Sequence, residues 1–427
     1  MTKKTIKLFS TNTNEQLAYI VLTSFLWIGA VCAGYFFEVA FLLLDAGLFL
    51  VLAVYLWRGR YTPLQMNLWL GSLTAFIGLY WLSCFYAVDS EAAVLEAARF
   101  SSLLPLAIFA SSLTAAKYDS YLRQSAWAGA FLTVLGWGLE LFRDGRLESS
   151  IGYANTLAIL LVIGVLIAWK AYSENHGKIY LGLLLIQLVG LVQTGSRTVL
   201  VLFAGACIVE MFRLRGKALQ TGVGIVSLAV ATAAATAYFF QVKVMLRFMD
   251  ISWNAPEFQL RKQYWSDGMA LLKEHWIVGL GGGGWAVEHS SWYYVKYLHQ
   301  FYLQLVLEIG IGGLLTFGMF VLIPLFKTRQ MLKITGSTWI MIALLLFHIA
   351  LDIDFEYPIC FGLFIILLSG LESINPLKRV AVTSSHLRST IIVFCIVITI
   401  AMVMLLGFEK EQFLTTEKTN IPNISCA

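Results

Sequence analysis

Apolar runs of about 20 residues, the length that carries an α-helix across a bilayer, recur along almost the whole chain. Their polar separators are mostly short, and the runs lack the alternation of a membrane β-barrel. A helix is the other element that satisfies its own backbone in lipid. The pattern therefore predicts an all-α polytopic membrane protein with about 12–13 transmembrane helices. Expected spans cover 18–37, 39–57, 66–86, 100–116, 125–142, 153–169, 179–194, 198–212, 220–240, 301–326, 338–355, 357–372 and 389–407. Between two spans, Asp89–Arg99 reads as a short amphipathic helix at the outer interface. One connection, Lys243–Tyr302, departs from the economy of the others. The chain thus divides into an N-terminal bundle (1–240), a large loop containing short helices (241–300), a C-terminal bundle (301–408) and a polar, disordered tail (409–427).

Composition agrees with this division. Of 427 residues 59% are hydrophobic and 13% charged, where a soluble domain carries about 25% charge. The net charge of +5 sits largely in short loops, where Lys and Arg mark the cytoplasmic side rather than a nucleic-acid surface. With the N-terminus in the cytoplasm, Lys3, Arg58, Lys117, Lys170, Arg213, Lys327 and Arg379 all fall on that side. The large loop is then extracytoplasmic, and its Arg247, Arg261, Lys262, Lys273 and Lys296 run against the trend. Binding an anion is the simplest cause. The six cysteines form no CxxC pair, so neither a zinc site nor a disulfide framework is indicated. The first apolar run is too long for a signal peptide and is expected to remain a helix.

The candidate chemistry gathers near the loop. Thr194-Gly195-Ser196-Arg197 interrupts an apolar stretch and places Arg197 near the interface, either snorkelling to lipid phosphate or binding a substrate anion. Trp265 follows Arg261 by one helical turn, so indole and guanidinium share a face, as a site or as an interfacial pair. His299 stands where the loop re-enters the membrane, with Gln304 and Glu308 behind it at helical spacing; it is a general base or a hydrogen-bonded structural histidine. The run Gly279-Leu280-Gly281-Gly282-Gly283-Gly284 lacks the Lys-Ser/Thr ending of a phosphate loop and reads as a close backbone approach to a helix or ligand. Asp352, Asp354 and Glu356 cluster near His348 at a membrane boundary, as functional carboxylates, as helix caps or as partners for the loop arginines. Their spacing does not define a metal site.

In this order the pieces resemble the O-antigen ligase/polymerase superfamily of bacterial envelope glycan enzymes, most strongly from Gln193 to Gly313. Gly195-Ser196-Arg197 matches its turn, and Arg261-Lys262-Gln263-Tyr264-Trp265 with His275-Trp276-Ile277-Val278-Gly279-Leu280-Gly281 matches its loop pattern. His299-Gln300-Phe301-Tyr302-Leu303-Gln304 with Glu308-Ile309-Gly310 matches its re-entry motif; Trp276 and Gln300 stand where the family usually has Pro and Asn. His348, Asp352-Ile353-Asp354-Phe355 and Pro358 resemble a late-helix pattern, and Gly152-Tyr153-Ala154-Asn155-Thr156 another recurrent segment. The resemblance implies a GT-C-like fold in the cytoplasmic membrane and glycan transfer from an undecaprenyl-diphosphate carrier to a glycan, lipid or protein acceptor. It implies inversion without a metal or cofactor. His299 would be the base, Arg197 and Arg261 the diphosphate ligands, and Trp265, Gln304, Glu308, His348, Asp352 and Asp354 supporting residues. Alternatives are a polymerase extending its own lipid-linked glycan and a transporter of such glycans.

Overall fold

A computed structural model describes residues 2–59, 64–174, 176–213, 227, 231, 256–289, 295–382 and 384–419. The expected span 220–240 and loop residues 241–255 lie outside this set, apart from those two positions. The described chain is helical almost throughout, as the apolar pattern requires. Its α-helices are α1 (Thr2–Val31), α2 (Glu38–Arg58), α3 (Leu68–Ser83), α4 (Ser90–Ser101), α5 (Leu103–Ala110), α6 (Ala115–Gly138), α7 (Ala154–Ser173), α8 (Ile179–Thr194) and α9 (Arg197–Arg213). After the undescribed stretch come α10 (Pro256–His275), α11 (Gly284–Glu288), α12 (Phe301–Thr328), α13 (Leu332–His348), α14 (Pro358–Ile374) and α15 (Ser385–Thr419). Among the described residues, five segments are long and apolar enough to cross a membrane: Glu38–Arg58, Ser90–Ala110, Ala154–Ser173, Phe301–His348 and Ser385–Gly407. The chain is an all-α polytopic membrane protein.

Helix α7 is apolar all round and 89% of its spanning window is buried, so it is the central post of the bundle. It packs on α6 and α8; α12 packs on α3, α14 on α5, and α13 on α9. Helix α15 lies against α2 with only 11% of its window buried, which leaves the rest to lipid. A knot of aromatic rings ties α3, α4, α12 and α14 together beneath one end of the bundle. Phe355 stacks on Phe361 at 4.1 Å and meets Phe301 edge-on at 5.2 Å. Phe355 thereby fastens the α13–α14 connection, which carries Asp352 and Asp354. A second, smaller core of Leu280, Trp285, Leu298, Leu303 and Leu307 fixes the loop helices on the start of α12.

Two expectations are corrected. Asp89–Arg99 is not a surface helix: Asp89 caps α4 through the Glu91 and Ala92 amides, and Glu96 and Arg99 are 3% and 2% exposed. Glu96 and Arg99 pair with each other, and Arg99 also donates to the distant Phe36 and Glu356 carbonyls, so the amphipathic spacing describes a buried polar face. Helix α15 continues to Thr419, into the polar tail expected to be disordered. Two small antiparallel pairs also occur. Leu64–Met66 (β1) joins Val380–Val382 (β4), and Phe142–Arg143 (β2) joins Arg146–Leu147 (β3).

Candidate functional site

The site lies at the end of the bundle where the loop sits, and the backbone of α12 creates it. Ile309 and Gly310 leave the helical region, with Gly310 at φ +68° and ψ −170°. The carbonyls freed by this break are taken by the glycine run: Leu280 N–H donates to Leu307 O at 2.6 Å and Gly281 N–H to Glu308 O at 2.9 Å. In return Ile311 N–H donates to Trp276 O at 2.9 Å. A Cβ on Gly310 would stand 2.0 Å from Ile277 O, and one on Gly281 2.2 Å from Ala87 Cβ. The glycines thus serve the close helix approach expected of them, and these three bonds replace helical ones in a setting that punishes unpaired backbone.

This contact brings α10 alongside α12 and aims Arg261 at the α13–α14 connection. Arg261 Nη2 donates to Asp352 Oδ2 at 3.0 Å, and its Nη1 donates to Leu351 O. Asp352 is almost wholly buried and accepts further bonds: Tyr153 OH at 2.8 Å and Ile353 N–H at 3.0 Å on Oδ1, and Asn155 Nδ2 at 2.7 Å on Oδ2. His299 Nδ1 lies 3.5 Å from Asp352 Oδ1, too far for a well-formed hydrogen bond but close enough for strong electrostatic contact. Burial alone would raise the Asp352 carboxyl. The adjoining imidazole of His299 and the Arg261 guanidinium outweigh it and hold the group well below the usual carboxylate range. His299 adopts φ +56°, a left-handed conformation rare outside glycine, and its ring stacks at 6.3 Å on Tyr264 of α10. Gln300 caps α12 by accepting from Leu303 N–H.

Beside this centre lies a second polar network that the sequence did not reveal as one. Gln304 Nε2 donates to both Glu308 and Glu356 at 3.1 Å, and its Oε1 accepts from Leu298 N–H, one residue before His299. Tyr80 OH donates to Glu308 at 2.9 Å, and Gly283 N–H at 3.3 Å ties the glycine run to the same carboxylate. Arg99 pairs with Glu96 at 3.1 Å and donates to the Glu356 and Phe36 carbonyls. Burial, then the nearby Glu96, pushes the Glu356 carboxyl well above its ordinary value despite Arg99. Gln304 and Glu308 hold together the loop backbones on which His299 and Asp352 are carried.

The remaining expected residues separate. His348 and Asp354 form their own fully buried pair, with Asp354 also accepting from Thr156 at 2.9 Å. Trp265 packs at the edge of the small loop core. Arg197 opens α9 just after Gly195, which ends α8 in a left-handed turn. Sequence reasoning missed Arg146, although Arg143-Asp144-Gly145-Arg146 is a strong hairpin signal. Asp144 and Gly145 both take positive φ, 52° and 76°, and present Arg146 to Thr194 O at 2.7 Å and Asn155 Oδ1 at 2.5 Å. Arg146 therefore joins the turn carrying Arg197 to the amide that holds Asp352. Among the described residues, no group of His, Cys, Asp and Glu is arranged to hold a metal ion.

The motifs converging here all fall in, or pack against, the centre of the chain, where a known family matches. Residues 182–318 match the O-antigen ligase family. The O-antigen ligase match runs from α8 through the Arg197 turn, α10, the glycine run and His299 to the broken part of α12. It supports the O-antigen ligase/polymerase superfamily and a membrane enzyme of ligase or polymerase type. No curated protein matches the chain.

Proposed function

We propose that this protein transfers a glycan from undecaprenyl diphosphate to an acceptor hydroxyl at the outer face of the cytoplasmic membrane, with inversion and without a metal. The observation that carries this reading is the convergence of Arg261, Asp352 and His299 at the loop end of the bundle. Asp352 facing Nδ1 favours the tautomer with its proton there, which leaves Nε2 to accept the proton of the attacking hydroxyl. As the new glycosidic bond forms, the bond from the anomeric carbon to the phosphate oxygen breaks and negative charge grows on the lipid diphosphate. Arginines suit that charge because they remain cationic at low dielectric and bind phosphate through two N–H groups. Arg261 keeps 21% of its side chain exposed at the site, and Arg197 supplies the second cation from its turn.

The donor half of this chemistry serves ligase and polymerase alike, and the acceptor separates them. The test is incubation of the purified protein in nanodiscs with the host's lipid-linked glycan and candidate acceptors. Donor loss with one glycan joined to another molecule identifies a ligase, and a ladder on the carrier lipid a polymerase. An intact donor whose glycan crosses the bilayer of sealed vesicles overturns the catalytic reading in favour of transport.

A further inference from the structure

Three consecutive apolar residues between α10 and the glycine run face outward: Trp276, Ile277 and Val278 are 50%, 60% and 52% exposed. They are not a loose tip. Trp276 O accepts from Ile311 N–H, Val278 O accepts from Tyr86 OH at 2.8 Å, and Gly279 N–H donates back to His275 O at 2.9 Å. Their backbone is therefore fixed against the break in α12 while their side chains remain uncovered. Phe85, on the turn after α3 whose Tyr86 holds Val278 and whose Ala87 receives Gly281, is 88% exposed.

The patch lies near an exposed apolar stripe on a segment long and apolar enough to cross a membrane. Below the break, Leu315, Met319 and Leu322 of α12 are 61%, 43% and 48% exposed and recur at helical spacing, the outer stripe of a spanning segment. Gly310, against which Ile277 lies, is little more than one turn above Leu315. Chemistry changes sharply at the top of the stripe. Helix α10 is charged up to Lys273 and Glu274, and from Trp276 to Val287 the chain carries no charge. A water-soluble helix that ends in an uncharged Trp-Ile-Val step, level with a lipid-facing stripe, has the form of an interfacial anchor with an aromatic at the headgroup boundary.

We propose that Trp276–Val278, with Phe85, inserts into the leaflet on the loop side and pins the C-terminal end of α10 at a fixed depth in the bilayer. The occupant of the patch is membrane lipid. The anchor does not depend on the transferase reading; where that reading holds, it sets the height of Arg261 relative to lipid phosphates.

The experiment places an NBD fluorophore on Ile277→Cys in the full chain, its own cysteines replaced, reconstituted in phospholipid vesicles. The control site is Lys273→Cys. Insertion predicts that the 277 probe loses most of its emission to shallow doxyl-labelled phospholipid and resists aqueous iodide, with the opposite ranking at 273. Iodide quenching at 277 equal to that at 273 overturns the proposal. So does protection from both quenchers, because protein then covers the patch. If the cysteine-replaced chain fails to fold, the chain with its own cysteines answers the question through the difference in brominated-lipid quenching between wild type and Trp276→Phe. No difference overturns the anchor. None of these readouts requires catalytic activity, so failure of the anchor and failure of the transferase reading are separate results.

Discussion

Asp352→Asn is the substitution that most sharply tests the wiring of the site. It keeps the shape of the side chain and removes its charge. Oδ2 receives Arg261 and Asn155, and Asn155 cannot turn its own oxygen towards it because that oxygen is held by Arg146. Oδ1 receives the Tyr153 hydroxyl and the fixed Ile353 amide. An Asn at 352 must turn its NH2 towards one of these pairs, so donor meets donor in either orientation. A hydrogen bond to a charged group contributes about 1.5–3 kcal/mol, and breaking a buried ion pair by removing one partner costs about 3–5 kcal/mol. With one-fifth of the Arg261 side chain exposed to solvent screening, the lower end applies, about 3 kcal/mol. If the disorder falls on His299 and Arg261, transfer slows by about a hundredfold, the rate equivalent of such a loss. The assays are thermal unfolding in detergent and the initial rate of glycan transfer. A variant that melts with the wild type and turns over within about twofold of it would falsify the role given to Asp352. Because its folded carboxyl lies below the unfolded value of about 3.9, its stabilising contribution is complete above that pH and lost only as pH falls towards the folded value.

Other expectations follow from the same geometry. Gly310→Ala must place a Cβ 2.0 Å from a backbone oxygen at a φ/ψ reserved for glycine, so it should cost at least about 2 kcal/mol in unfolding, whereas Gly71→Ala, with open space around it, should be neutral or stabilising by up to about 1 kcal/mol. The Glu356 carboxyl is raised above its ordinary 4.5, so its folded state holds a proton that the unfolded chain releases; stability should fall as pH rises from there, and Glu356→Gln should flatten that slope in a melting series. Arg146→Lys keeps the charge but cannot bridge the Thr194 carbonyl and Asn155 together, and should slow transfer by about tenfold or more with donor binding also weakened; unchanged kinetics would remove Arg146 from the site.

Much of this could be read from the chain because membranes impose a simple grammar. Helices such as α2, α7 and α12 are long apolar runs whose backbones must pair internally, and hydropathy alone located them. Gly195 was legible as a break and the glycine run as a close approach. The partner of that approach was not: nothing local says that Gly281 answers a carbonyl of Glu308. Glu96 and Arg99 misled because a charged pair at helical spacing looks the same on a wet surface as in a buried network. The centre was half legible. Arg261, His299 and Asp352 stand out as polar residues at span ends, but Tyr153 and Asn155 reach Asp352 across about two hundred residues of chain, with Arg146 behind Asn155, a juxtaposition that the packing of α7 against α13 creates.

The most direct test of the central claim is product formation from lipid-linked glycan and acceptor by His299→Ala, with wild type in parallel. The account predicts that the variant folds and still binds donor through Arg197 and Arg261, yet forms product at least about a hundredfold more slowly, the scale of a positioned general base. A folded His299→Ala protein that makes product at the wild-type rate would contradict it.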